Sequence, residues 1–114
     1  MIDHEENIKS IELRGDSLKN IKKQILIGPK DGFNGYMRMF TIGENGYTPY
    51  HTHDWYHVNY VTEGKGILRL GETENKLEKG SIAYVSPGMK HQFINTGKGD
   101  LKLLCLVPEK GDSY

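Results

Sequence analysis

The chain has 114 residues, a length that suits one domain with one core. Lys+Arg and Asp+Glu number 15 each, so no basic face is offered to nucleic acid or to an anionic membrane. With 36% hydrophobic residues, no stretch approaches the ~20 apolar residues of a bilayer span. The single cysteine, Cys105, excludes an internal disulfide. The polar, acidic start Met1-Ile2-Asp3-His4-Glu5-Glu6 lacks the basic and apolar regions of a signal peptide, so a cytoplasmic location is expected.

Residues 1–20 read as a polar N-terminal arm with a turn at Gly15-Asp16-Ser17, and residues 21–110 as one β domain. Lys22-Lys23 reads as a solvated pair. From Gln24 the pattern becomes strand-like, with Ile25-Leu26-Ile27 closed by Gly28-Pro29. Turns at Asp31-Gly32 and Asn34-Gly35 lead into a strand over Tyr36–Ile42. Its alternation puts Tyr36, Arg38, Phe40 and Ile42 on one face. Gly43-Glu44-Asn45-Gly46 reads as a turn into the histidine segment. A strand over His57–Thr62 meets a hairpin turn at Glu63-Gly64-Lys65-Gly66, and Gly66–Leu70 returns. Ser81–Val85 stops at Ser86-Pro87-Gly88, and Gln92–Asn95 and Leu101–Val107 complete the set. These are roughly eight to ten short strands at the spacing of sandwiches and barrels, with no helical period in any window.

Four histidines carry the chemistry. His51 and His53 are two apart, His57 follows at the same parity, and His91 stands alone; the fifth, His4, lies in the arm. Equal parity on a strand means one face. Imidazoles gathered on a buried face suit Mn, Fe, Co, Ni, Cu or Zn.

Two longer patterns hold these histidines. His51-Thr52-His53, three residues, His57, six residues and Gly64 form the first, with Gly46 four residues ahead of His51. Gly80, Ser86, Gly88, His91 and Asn95 form the second, and 15 residues separate Gly64 from Gly80. These resemble the two motifs of a small single-domain cupin. His57 stands where that family usually has glutamate, Ser86 where it has proline, and Gly46 sits one residue late. His53-Asp54-Trp55-Tyr56-His57 and Leu104-Cys105-Leu106-Val107-Pro108 are similar to segments of bacterial cupins that use four histidines, several of them manganese proteins.

The resemblance implies an all-β double-stranded β-helix, the jelly-roll barrel, with His51, His53, His57 and His91 holding a divalent transition metal in its mouth. Mn(II) is the expected ion, with Fe(II), Ni(II), Cu(II) and Zn(II) as alternatives. Four imidazoles neutralise none of the metal's charge, so anionic ligands are favoured. An octahedral ion would keep two open positions, whereas tetrahedral zinc would be closed and structural. Parity adds Asn59 and Phe93 to the pocket, and Tyr36 and Phe40 beside Arg38. Arg38 and Cys105 are the candidate catalytic residues, Arg38 to pair with a substrate carboxylate and Cys105 to approach the metal or be oxidised beside it. A surface arginine and a merely buried cysteine are the competing readings. No Asp or Glu is placed near the ligands by spacing, since Asp54 has the opposite parity to His53.

The expected function is a Mn(II)- or Fe(II)-dependent, dioxygenase-like oxidoreductase acting on a small anionic or chelating molecule. A non-redox isomerase or decarboxylase and a non-catalytic metabolite-binding module are the alternatives. Neither nucleic acid nor membrane is an expected partner. A homodimer is expected, with Gln24–Ile27 as the candidate sheet edge.

Overall fold

Alternating burial runs through most strands of the computed structural model, which describes residues 1–112. The strands are β1 (Ile11–Leu13), β2 (Lys19–Ile27), β3 (Gly35–Tyr47), β4 (His57–Glu63), β5 (Lys65–Leu70), β6 (Thr73–Glu78), β7 (Ile82–Val85), β8 (His91–Asn95) and β9 (Leu101–Pro108). Short 3-10 turns sit at Glu5–Asn7, Pro29–Asp31 and Glu109–Gly111. All pairings are antiparallel. The order is β6-β5-β8-β3-β9-β4-β7, with β2 beside β3 and β1 beside β2. The sheet curls into a single-domain jelly-roll barrel.

β3 makes the curl. Its first part pairs with β2 and β9, and its last residue, Tyr47, pairs with Ile94 of β8. Between these parts Gly43–Gly46 is a bulge rather than the chain-reversing turn expected there. Ile21 faces Ile42 while Lys19 faces Tyr47, so the extra residues of β3 are extruded. Asn45 takes φ 62°, a conformation Asn tolerates, at the tip of that bulge.

β9 shows why these residues form a barrel wall. Leu101, Leu103, Cys105 and Val107 point inward, while Lys102, Leu104 and Leu106 point outward. β4 sends His57, Asn59 and Val61 inward, and β8 sends His91, Phe93 and Asn95. The barrel is therefore graded. Ile42, Val61, Leu68, Leu101 and Leu103 belong to its apolar core, and the histidine-bearing positions are its polar part. Gly64 marks a tight closure at φ 89°, where a Cβ would stand 2.2 Å from the Asp100 carbonyl oxygen.

Two placements differ from the sequence reading. The first is the polar leader, which is built into the sheet. Ile11–Leu13 pairs with Ile21–Lys23, and Gln24 Nε2 donates to the carbonyls of Glu5 and Ile8. The Gln24–Ile27 edge is thus flanked by the chain's own N-terminus. Second, Lys23 is not solvated: it shares the inner face with Ile21 and is 7% exposed. On the outer face of β4 and β7, Val58 faces Tyr84, Tyr60 faces Ile82, and all four are exposed. No helix among the described residues is long and apolar enough to cross a membrane.

Asn95 ties the barrel's closed part together. Its Nδ2 donates to the carbonyls of Ile42 and Gly99 (2.8 Å each), and its Oδ1 accepts from Gly97 N–H (2.9 Å). Asn95→Leu removes all three bonds and strands a buried carbonyl. The expected cost is about 2–4 kcal/mol, read as a lower denaturation midpoint at unchanged m value.

Candidate metal centre

His51 and His91 meet first through backbone. They form an isolated antiparallel bridge in which His51 N–H donates to the His91 carbonyl (3.1 Å) and His91 N–H to the His51 carbonyl (2.9 Å). Directly opposed residues share a face, so both rings project to the same side. The Pro87-Gly88 turn fixes the next ligand, because Gly88 N–H donates to the His53 carbonyl at 2.8 Å. Gly88 takes φ 81° to do so, a conformation that favours glycine. β4 then carries His57 into the cluster.

His91 is the hub. Its ring centroid lies 5.0 Å from His51, 4.8 Å from His53 and 4.7 Å from His57. The ligand atoms of His51, His53 and His91 all lie within 4.8 Å of one another, so these three can hold a metal. His57 joins them through His91, with the two Nε2 atoms 3.1 Å apart.

Hydrogen bonds decide which nitrogens face inward. His53 Nδ1–H donates to the Trp55 carbonyl (2.9 Å) and His91 Nδ1–H to the Met89 carbonyl (2.8 Å). Asn59 Nδ2 donates to the Leu104 carbonyl, which turns its Oδ1 to accept Nδ1–H of His57 at 2.6 Å. With Nδ1 protonated, each Nε2 is a lone-pair donor. The Nε2 atoms of His57 and His91 then face each other at 3.1 Å with no proton between them. That repulsive pairing would be relieved by a cation shared between the two nitrogens.

The electrostatics agree. Burial, with help from the neighbouring rings, lowers His51 to about 4. Burial lowers His57 to about 3 despite its bond to Asn59. Burial also holds His53 and His91 below their ordinary range. Neutral imidazole is the metal-binding form, so the cluster is ready for an ion at neutral pH.

Beside the cluster, a pocket is lined by Arg38, Phe40, His53, Trp55, His57, Asn59, Phe93, Leu103, Cys105 and Gly111, among others. Of the residues expected there, Arg38, Phe40, Asn59, Phe93 and Cys105 are brought together. Tyr36 is not: it packs against Gly28 and lines a separate surface depression with Ile25 and Pro29. Arg38 is 3% exposed. Its Nη2 donates to Cys105 Sγ at 3.0 Å, and its guanidinium lies 4.9 Å over the Phe40 ring. Burial raises the Cys105 thiol above its usual range, against the pull of Arg38, so it stays protonated. Asp54 points away and pairs with Lys110 at the surface.

Two pocket features escaped the spacing of the motifs. Trp55 stacks on His53, with centroids 4.3 Å apart and planes 5° from parallel. Asp112 comes from beyond the last strand to pair with both Arg38 and Lys23.

The depressed histidine values set a pH dependence for the metal-free protein. Unfolded histidines take protons below about pH 6.5, while folded His51 refuses one until about pH 4 and folded His57 until about pH 3, and His53 and His91 are shifted the same way. The unfolded state therefore binds more protons in that window, and stability falls as pH falls. Calorimetry should show Tm dropping from pH ~7 to ~5; a flat or rising Tm contradicts the buried neutral cluster.

Comparison with known proteins places this arrangement. The polyketide cyclase RemF from Streptomyces resistomycificus is similar over 95% of this chain and 78% of its own, with TM-score 0.87 and 26% identity. A predicted oxalate decarboxylase from Thermotoga maritima has the same fold, at TM-score 0.87 and 16% identity over 96% of this chain and 99% of its own. An uncharacterized protein of Methanocaldococcus jannaschii is 33% identical over 48 residues, 42% of this chain, and the match spans 38% of that relative's length. The family model described as "Cupin domain" matches residues 38–107, which hold β4 to β8, all four clustered histidines and most of β3 and β9. With more than half of its length matched, around this cluster and on this barrel, the chain belongs to the cupin domain family.

Proposed function

We propose that this cupin binds a divalent transition metal through His51, His53, His57 and His91, with Mn(II) as the resident ion and Fe(II), Ni(II), Cu(II) and Zn(II) as competitors. The carrying observation is the facing pair of Nε2 lone pairs on His57 and His91. When bound, such an ion supplies Lewis acidity and, as Mn or Fe, access to dioxygen chemistry. The reaction we assign is a dioxygenase-like oxidation of a small anionic or chelating organic molecule.

The chain's own groups set the conditions. Asn59 holds the His57 ring in one tautomer. Phe40, Phe93 and Leu103 keep bulk water from the cluster. Arg38 provides a buried cation for an anionic ligand, and Cys105, a neutral thiol, accepts one of its hydrogen bonds. The likeness to a polyketide cyclase supports a second reading, non-redox chemistry through a stabilised enolate.

Metal analysis of the purified protein tests the ligand set. His57→Ala should lose most of its metal, and Asn59→Leu should bind it about 10–100-fold more weakly. Unchanged metal content in His57→Ala sinks the four-histidine assignment. Turnover that survives removal of oxygen and replacement by zinc moves the function to the second reading.

We also propose a cytoplasmic homodimer that binds no nucleic acid and no membrane. Support for the dimer lies in the exposed apolar side chains Val58, Tyr60, Ile82 and Tyr84 on the outer face of β4 and β7. Sedimentation at micromolar concentration should give a dimer that Ile82→Glu dissociates, and a wild-type monomer overturns it.

A further inference from the structure

The pocket beside the cluster is lined on one side by the turn that follows β9. The cavity that remains has a volume of about 10 Å³, room for roughly one water. The Glu109–Gly111 turn contributes Gly111 to its lining, and Asp112 follows against Arg38. Gly111 lies so close to Trp55 that a Cβ there would stand 2.7 Å from the indole Cδ1 and 2.8 Å from Val107 Cβ. Trp55 in turn stacks on His53. The turn, the indole and a candidate metal ligand are therefore one packed column.

Asp112 adds charge to this packing. Its Oδ1 pairs with Lys23 Nζ from β2 and lies 3.4 Å from Arg38 Nη1 of β3. Both cations are buried, and the carboxylate side chain keeps 16% of its surface exposed. The contact to Arg38 is long, against ~2.7–2.9 Å for a well-made charge-assisted bond, and it uses a single oxygen. Arg38 Nε is buried and makes no hydrogen bond among the described residues. The guanidinium is thus held by Cys105 Sγ at Nη2 and by a tethered carboxylate at Nη1, and the two leave Nε unmet. An untethered carboxylate can approach more closely and engage two donors. None of the residues lining the pocket is itself Asp or Glu.

We infer that Arg38 and Lys23 form a carboxylate subsite beside the histidine cluster, which Asp112 occupies as an internal stand-in for the ligand. The ligand is a small organic carboxylate. It enters by displacing Asp112 and lifting the Glu109–Gly111 turn from Trp55. The inference rests on the proposed function only in placing the ligand near a metal; the exchange at Arg38 needs no metal.

The probe is oxalate, a small dicarboxylate, titrated calorimetrically into metal-free protein, with acrylamide quenching of Trp55, the single tryptophan, as a second readout. Asp112→Asn removes the competing charge at nearly constant shape and should bind oxalate about tenfold more tightly than wild type, as expected when a closed state is relieved. Gly111→Ala keeps every charge but wedges the turn off Trp55. It should also tighten oxalate binding and raise quenching. Arg38→Met should abolish binding in either background. Tighter binding in either variant, lost with Arg38→Met, supports the subsite. Oxalate binding that is absent, unchanged or weaker in both folded variants overturns it, as does binding that survives Arg38→Met. Metal content, measured separately, tests the metal reading alone.

Discussion

Burying several neutral imidazoles side by side is the constraint on which this structure turns. Each ring brings one N–H that must find an acceptor and one lone pair that must find a cation or a proton. The fold supplies the acceptors from fixed places. Trp55 and Met89 offer backbone carbonyls two residues from the rings they hold, and Asn59 offers its side chain two residues from His57. All three anchors are local in sequence, so the tautomers are set by chain geometry. The lone pairs are left converging, as at His57 and His91.

The rest of the barrel follows from that demand. Ligands contributed by different segments must be brought to one point, and the backbone bridge between His51 and His91 does this before any ion is present. Gly88 clamps the loop bearing His53 from the opposite side. The strands that carry ligands are the same ones that build the apolar core further along. Val61 follows His57 and Asn59 on the inner face of β4, and Phe93 follows His91 on β8. Rigidity at the cluster is thus a consequence of packing beneath it.

Much of this was legible in the sequence, because a period of two converts residue number into face. Once the resemblance puts the histidines inside a barrel, parity adds Asn59 and Phe93 to their face, groups Phe40 with Arg38 and turns Asp54 outward. Parity assigns a face and not a depth, and Tyr36 shows the difference: it shares parity with Arg38 but lies too far along β3 to reach the pocket. Lys23 reads as solvated because a lysine is rarely buried without a partner, and its partner Asp112 lies 89 residues away, outside any motif. The bulge at Gly43–Gly46 reads as a turn because glycine and asparagine serve both structures. In each case the missing information is a contact between distant segments.

The identity of residue 57 is bound to this long-range framework. A glutamate there, as cupins usually have, presents only acceptor oxygens when ionised. Asn59 Oδ1 is also an acceptor, and it cannot simply exchange places with Nδ2, because that group is committed to the Leu104 carbonyl on β9. Flipping the amide would set two oxygens against each other there. Asn59 is therefore matched to a donor at position 57, which His57 provides and a carboxylate does not. The replacement of carboxylate by imidazole is in this way built into strand β4 and its neighbour β9. With an imidazole at position 57, the carboxylate that meets the buried cation Arg38 comes from Asp112. It is held to Lys23 and Arg38, two buried cations from β2 and β3.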